Sequence, residues 1–265
     1  AYRNDFKRNW YKLNDVNAYG QSSSISNLLK SPNDFPVLFG IVNGTEDFSG
    51  SALNLKNNNR EYYSQGLQTK ADYHFLTGDV YHDIELGLRY HQDEEDRFQW
   101  VDGYNMIDGS MNLIDAGVPG TDSNRVTDAN ALAAHVLYKL KYGKLTLTPG
   151  LRYENIKLER RDFGKNDVGR TGVDLTSRSN EINEFIPGIG ANYKINPELS
   201  IFGGVHKGFS PGGTRPEESS EQSVNYELGT RFNHNGLTGE VVGFYNNYSN
   251  LLGSDFAATA GVGTL

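Results

Sequence analysis

The chain has no cysteine, which excludes disulfide staples, thiol catalysis and cysteine-held metals. It has no run of about 18 consecutive apolar residues, the length a membrane-crossing helix needs. Basic charge is also short. Twenty-five Lys and Arg stand against 33 Asp and Glu, leaving −8 and disfavouring nucleic acid as a partner. Catalytic signatures are missing too: no HExxH, no GxSxG, no P-loop and no dinucleotide-binding glycine pattern. The histidines, His74, His82, His91, His135, His206 and His234, are scattered one to a strand or turn. No catalytic residue, no resident cofactor and no metal site is therefore assigned. The first residues, "AYRNDFKRNW", contain no apolar stretch of the kind a signal peptide carries.

What the chain does have is aromatic side chains and glycine: 16 Tyr, 13 Phe and 30 Gly, with a mean hydropathy of −0.59. Low hydropathy alone would suit disorder, but disordered chains are poor in aromatics. A strand-rich chain with a thin apolar surface fits better. A transmembrane barrel is such a chain, because only alternate residues face lipid.

Alternation bears this out within the sequence. In "VYHDIELGLRY", Val80, His82, Ile84, Leu86, Leu88 and Tyr90 share one face, while Asp83, Glu85, Gly87 and Arg89 share the other. "KLTLTPGLRYE" sets Leu145, Leu147, Leu151 and Tyr153 against Thr146, Thr148, Gly150, Arg152 and Glu154. "VNYELGTRF" sets Val224, Tyr226, Leu228 and Phe232 against Asn225, Glu227, Gly229 and Arg231. Further strands are expected at 1–13, 61–75, 129–141, 182–195, 199–208 and 237–251, about nine in all. Membrane strands need about 9–11 residues, more than the usual soluble strand.

The connections alternate in length. "LTGD", "YGK", "INPE" and "HNG" are tight turns, whereas 14–60, 97–128, 161–181 and 209–222 are long. Short periplasmic turns and long extracellular loops are the pattern of outer-membrane barrels. Strands 1–13, 80–96, 144–160, 199–208 and 237–251 then run outward. Tyr73, Phe75, Tyr138 and Tyr193 fall near the short turns, and Tyr90, Tyr153 and Phe209 near the long loops, as interface girdles require. Nine is an odd number for a bacterial barrel and leaves open edges, so the chain is expected to be an internal piece of a larger one. The final "AATAGVGTL" is expected to lie in a long loop.

A short phrase recurs: "ELGLRY", "PGLRYE" and "ELGTRF". Its glycines are expected to leave room on the inner side, for an inserted domain or a neighbouring side chain. Its arginines, Arg89, Arg152 and Arg231, are expected to pair with inner acids such as Glu85, Glu154 or Glu227. "HQDEEDRFQW" reads as a solvated strand tip rather than a cation site.

Four stretches carry a resemblance: "YRNDFKRNWYKL", "NNNREYYSQGLQT", "HKGFSPGGTRPEESSEQSVNYELGTRF" and "GEVVGFYNNYSNLL". Together they resemble TonB-dependent outer-membrane receptors, and among these the ferric citrate (ferric dicitrate) receptor group of siderophore transporters. The resemblance implies an all-β transmembrane antiparallel barrel of 22 strands, of which this chain supplies about nine from the middle, without the plug domain. It implies a bacterial outer-membrane location against lipid and lipopolysaccharide. It also implies a ferric siderophore or ferric citrate as cargo, and energy from the TonB–ExbB–ExbD complex acting through the plug. An anionic chelate calls for arginines at the mouth. Arg8, Trp10, Arg60, Arg97 and Arg215 are the expected ligand contacts, with Glu85, Arg89, Arg152, Glu154, Glu227 and Arg231 lining the wall or meeting the plug. A passive porin, or a barrel that only anchors, is the alternative.

Overall fold

The computed structural model describes residues 1–216 and 218–250; Leu251 and "AATAGVGTL" lie outside the described residues. In chain order the elements are β1 (Tyr2–Arg8), β2 (Tyr11–Ala18), β3 (Gln21–Ser24), α1 (Ile25–Lys30), α2 (Pro36–Asn43) and β4 (Phe48–Asn57). There follow β5 (Arg60–Thr77), β6 (Val80–Ile107), β7 (Ser110–Asp115), β8 (Ser123–Tyr142) and β9 (Leu145–Asp162). The last are β10 (Thr176–Lys194), β11 (Leu199–Ser210), β12 (Glu221–His234) and β13 (Leu237–Ser249).

Nine of these strands form one antiparallel wall, in the order β1-β5-β6-β8-β9-β10-β11-β12-β13. The wall is a partial barrel. Among the described residues β1 pairs only with β5 and β13 only with β12. Its outer face carries Leu86, Leu88, Leu132, Leu151, Ile189, Leu228 and Val241, all exposed. Bare leucines in such a continuous belt are stable against lipid, not water. From Val80 to Tyr90 at about 3.3 Å per residue and about 40° of tilt, the belt is roughly 25 Å tall.

Aromatic rings bound the belt. Tyr73, Phe75, Tyr138 and Tyr193 lie toward the tight turns, and Tyr90, Tyr153, Phe185, Tyr226 and Tyr245 toward the other end. The upper hydroxyls meet a polar rung immediately above. Tyr90 accepts from Gln92 at 2.7 Å, and Tyr153 donates to Asn183 at 2.8 Å. A ring facing hydrocarbon with a hydroxyl facing water is the arrangement an interface favours.

The recurring glycines make room for cross-strand side chains. Gly87 stands opposite His135, Gly150 opposite Leu137 and Gly229 opposite Phe202. A Cβ on Gly229 would lie 2.6 Å from the Phe202 ring, and one on Gly87 would lie 2.0 Å from Cε1 of His135. Each partner reaches over the gap its glycine leaves.

The expected long connections are largely folded. The segment expected as one strand, 1–13, breaks at Asn9 and Trp10, and its halves join different sheets: β1 pairs with β5, β2 with β4. Within the expected loop 14–60 lie β2, β3, β4 and both helices. The expected loop 97–128 holds the upper half of β6, β7 and the start of β8. Similarly β9 runs to Asp162 and β10 starts at Thr176, narrowing the loop expected at 161–181. Beyond the belt β6 leaves the wall and joins a second antiparallel sheet, β3-β2-β4-β6-β7. The two helices cover it around Val16, Leu28, Leu38, Ile41, Leu53 and Met106, all buried. Ser24 caps α1 by accepting from the Asn27 N–H, and Gly44, at φ 79°, ends α2 in the left-handed region.

The loop after β9 is pinned to the outside of the wall. Arg170 forks onto Asp96 at 2.8 and 2.5 Å, between the rings of Phe98 (4.7 Å) and Phe163 (5.3 Å). Asp167 accepts the N–H groups of Thr171 and Gly172, and those bonds hold its carboxyl below the usual range.

Candidate functional site

Above the belt, on the inner face, register sets four arginines in a row. Arg8 lies opposite Arg60, Arg60 opposite Arg97, and Arg97 opposite Arg125, across β1, β5, β6 and β8. One rung away on β9 and β10, Arg160 lies opposite Arg178. Like charges directly opposed across strands destabilise a sheet. A row of them is stable only with counter-charge, and two carboxylates within it provide some.

Glu95 accepts from Arg60 at 2.9 Å, from Arg97 at 2.7 Å and from the Tyr62 hydroxyl at 3.1 Å. Burial pushes the Glu95 carboxyl up, but Arg97, Tyr62 and Arg60 together outweigh it and hold it low. Asp162 takes Arg160 at 2.6 Å. Burial raises its carboxyl as well, and Arg160 and the Gly164 N–H pull it below the usual range.

The rest of the row is uncommitted. Among the described residues Arg8 donates only to the Tyr62 hydroxyl, at 2.9 Å, with its guanidinium over that ring. Arg178 gives its Nε to the Thr214 hydroxyl at 2.8 Å and holds no carboxylate among the described residues. The buried Nε of Arg60 has no partner among the described residues. Arg125 is half-buried and makes no hydrogen bond or ion pair among the described residues. Burial, then Arg97 and Arg160, depress its pKa. The result is a cationic strip with six arginines to two carboxylates, Glu95 and Asp162, an excess that accepts further carboxylates.

Of the expected ligand contacts, the row brings together Arg8, Arg60 and Arg97. Trp10 sits beside it, exposed, in the break between β1 and β2. Arg215 is exposed in the loop after β11, linked to the row only through its neighbour Thr214. Arg125, Arg160 and Arg178 belong to the row but not to the expected set. Their opposition depends on register across long connections, which the sequence does not display.

The expected wall residues sit lower, on the same face. Arg152 donates to Glu154 at 2.6 Å, as expected of that pair. The other two arginines take different partners. Arg89 donates to the Tyr2 hydroxyl at 2.8 Å rather than to Glu85, because Lys70 and His135 already occupy Glu85. Arg231 reaches Glu240 at 2.8 Å rather than Glu227, since Glu240 stands directly opposite it. Glu85, Arg152 and Glu227 line a depression of about 670 Å³ floored by Gly150, Gly188 and Gly204.

Residues 1–264 match a family described as "TonB dependent receptor-like, beta-barrel". Among solved structures, the chain is similar to the unliganded ferric citrate transporter FecA, with TM-score 0.65 and 19% identity, over 78% of this chain and 30% of that one. It is similar to the ferric-catecholate import receptor Fiu from K12 E. coli in its closed form, with TM-score 0.60 and 15% identity, over 81% and 36%. It is also similar to BauA, the ferric preacinetobactin receptor from Acinetobacter baumannii, with TM-score 0.50 and 16% identity, over 74% and 30%. The chain spans about a third of the length of these structures, and at such identity the likeness is one of fold. One is a transporter and two are receptors. With the family matched over nearly its whole length and the wall built as that fold requires, the chain belongs to the TonB-dependent receptor β-barrel family.

Proposed function

We propose that this chain forms wall and mouth of a bacterial outer-membrane receptor that imports a ferric chelate, with ferric citrate or a similar carboxylate-bearing ferric siderophore as cargo. The arginine row carries the reading. Arg8, Arg60, Arg97 and Arg125 oppose one another across four strands with too few carboxylates to neutralise them. A citrate-type ferric complex is anionic and displays planar carboxylates, which match guanidinium forks two bonds at a time. Iron travels as cargo inside the chelate. The belt faces lipid, and lipopolysaccharide surrounds the polar rung above it. Energy for release into the periplasm comes from the TonB–ExbB–ExbD complex through a plug domain of the kind this family carries.

A passive porin or an anchoring barrel would share the belt, and a porin can also pass anions over arginines; it differs in carrying no plug and needing no TonB contact. The test is growth of a deletion strain on ferric citrate as sole iron source, with complementation by the intact gene. Loss of growth restored by the gene supports the reading. Unimpaired growth there, with loss on a neutral hydroxamate chelate, refutes the carboxylate assignment.

A further inference from the structure

The wall is not laddered evenly. Between β10 and β11 the pairing runs from Lys194 opposite Ser200 up to Gly188 opposite His206, and stops. Yet β10 continues to Thr176, paired throughout with β9, and β11 continues to Ser210, paired with β12. Continued in register, the ladder would set Phe185 opposite Phe209. Pro187 stands at the first missing rung, and a proline has no N–H to give a neighbouring strand. Above it the wall becomes two panels, β9–β10 on one side and β11–β12 on the other.

The contacts that cross this line above the last rung are made by side chains. Glu184 on β10 accepts from Lys207 Nζ of β11 at 2.7 Å and from Gln222 Nε2 of β12 at 2.6 Å. Each carboxylate oxygen of Glu184 thus holds one strand of the opposite panel. Higher up, Asn180 donates to the carbonyls of Gly213 and Glu218, and Arg178 to the Thr214 hydroxyl. Behind these bridges lies a cleft of about 490 Å³ lined by Pro187, Gly188, Val205, Lys207, Gln222 and Tyr248. Lys207 stands opposite Val224, one rung above Tyr226 of the upper girdle, and Gln222 a rung higher, so the Glu184 bridges lie outside the hydrocarbon, where water can compete for each bond.

We infer that the upper wall parts between β10 and β11, hinged at the Gly188–His206 rung, with Glu184 as its bolt. Opening the seam separates the Arg178 side of the mouth from the β11–β12 side and widens the aperture, while the laddered belt below stays shut. A strand pair held by backbone hydrogen bonds cannot do this without losing its ladder; this pair has no ladder to lose.

The test uses full-length receptor in lipid, labelled with paired spin probes at Ser179 and Ser210 across the seam. A control pair at Ser179 and Glu159 spans the laddered β9–β10 neighbours. Glu184→Ala is expected to broaden the seam distance distribution and shift it outward by at least one strand spacing, about 4.8 Å, with the control unchanged. Lys207→Met, which leaves Glu184 in place, is expected to do the same to a smaller extent, and heat-modifiable migration confirms that both variants fold. Unchanged seam distances in both variants would overturn the inference. So would equal broadening of seam and control, since that would be loosening of β10 as a whole.

Discussion

Arg125→Ala separates a ligand-binding arginine from a structural one, because the two roles move affinity and stability in opposite directions. Arg125 has no hydrogen bond or ion pair to lose among the described residues; burial first, then Arg97 and Arg160, depress its pKa against the weaker pull of Asp162 and Glu95. Opposed guanidinium groups about 6 Å apart repel by roughly 2–3 kcal/mol at an effective dielectric of about 20. Salt, partial exposure and the opposing attraction of Asp162 and Glu95 reduce that to about 1 kcal/mol. Removing Arg125 should therefore stabilise the empty receptor by about 1 kcal/mol. In the complex the same residue donates a charge-assisted fork to a carboxylate, a contribution of about 1.5–3 kcal/mol. Its loss should raise Kd for ferric citrate about 10- to 150-fold. Calorimetric titration of purified receptor gives the change in Kd, and the temperature of heat-modifiable migration gives the change in stability. Unchanged affinity, or a variant less heat-stable than the parent, would refute the reasoning.

Three further outcomes are expected. Glu94 lies on the outer face above the belt, where burial, then a hydrogen bond and charge from Asp128, push its carboxyl up to about 7. A raised folded pKa gives stability that is fully present below the unfolded value of about 4.5 and lost as pH rises through about 7. Glu94→Gln should thus raise the unfolding temperature at pH 8 and leave it unchanged at pH 5; the reverse order would contradict the assignment. Gly229→Leu should displace the Phe202 ring, which a Cβ would approach to 2.6 Å, and destabilise the barrel by about 1–3 kcal/mol in urea-driven unfolding. Arg170→Ala should expose the 163–175 loop to limited proteolysis, because Asp96, Phe98 and Phe163 all lose their contact; Arg170→Lys should not restore protection, lacking the fork.

Where the sequence was legible, a physical pattern made it so. In the belt one face must be apolar and the other polar, so "VYHDIELGLRY" announces both its strand and its direction of facing. Past Tyr90 that contrast disappears, because both faces of β6 meet water. The run "DEED" alternates between the faces, with Asp93 and Glu95 inward and Glu94 and Asp96 outward, and the strand continues to Ile107. Periodicity therefore ends where the lipid ends, not where the strand does, and the folded extensions read as loops. For α2 the signals were present: Pro36 in the first turn, an apolar run, and Gly44 after the last residue. The arginine row was half visible. Arg8, Arg60 and Arg97 fall at strand ends beside recognisable stretches, but Arg125 becomes their neighbour only through the β6–β8 register.

The central claim is that the mouth recognises negative charge through its arginines. Its most direct test is titration of the full-length receptor with ferric citrate at increasing salt, beside a neutral ferric hydroxamate. Binding of ferric citrate that weakens steeply with salt, and weakens further in a receptor carrying Arg8→Ala, Arg60→Ala and Arg125→Ala together, is the expected result. Preference for the neutral chelate, or salt-independent affinity unaffected by the three substitutions, would contradict it.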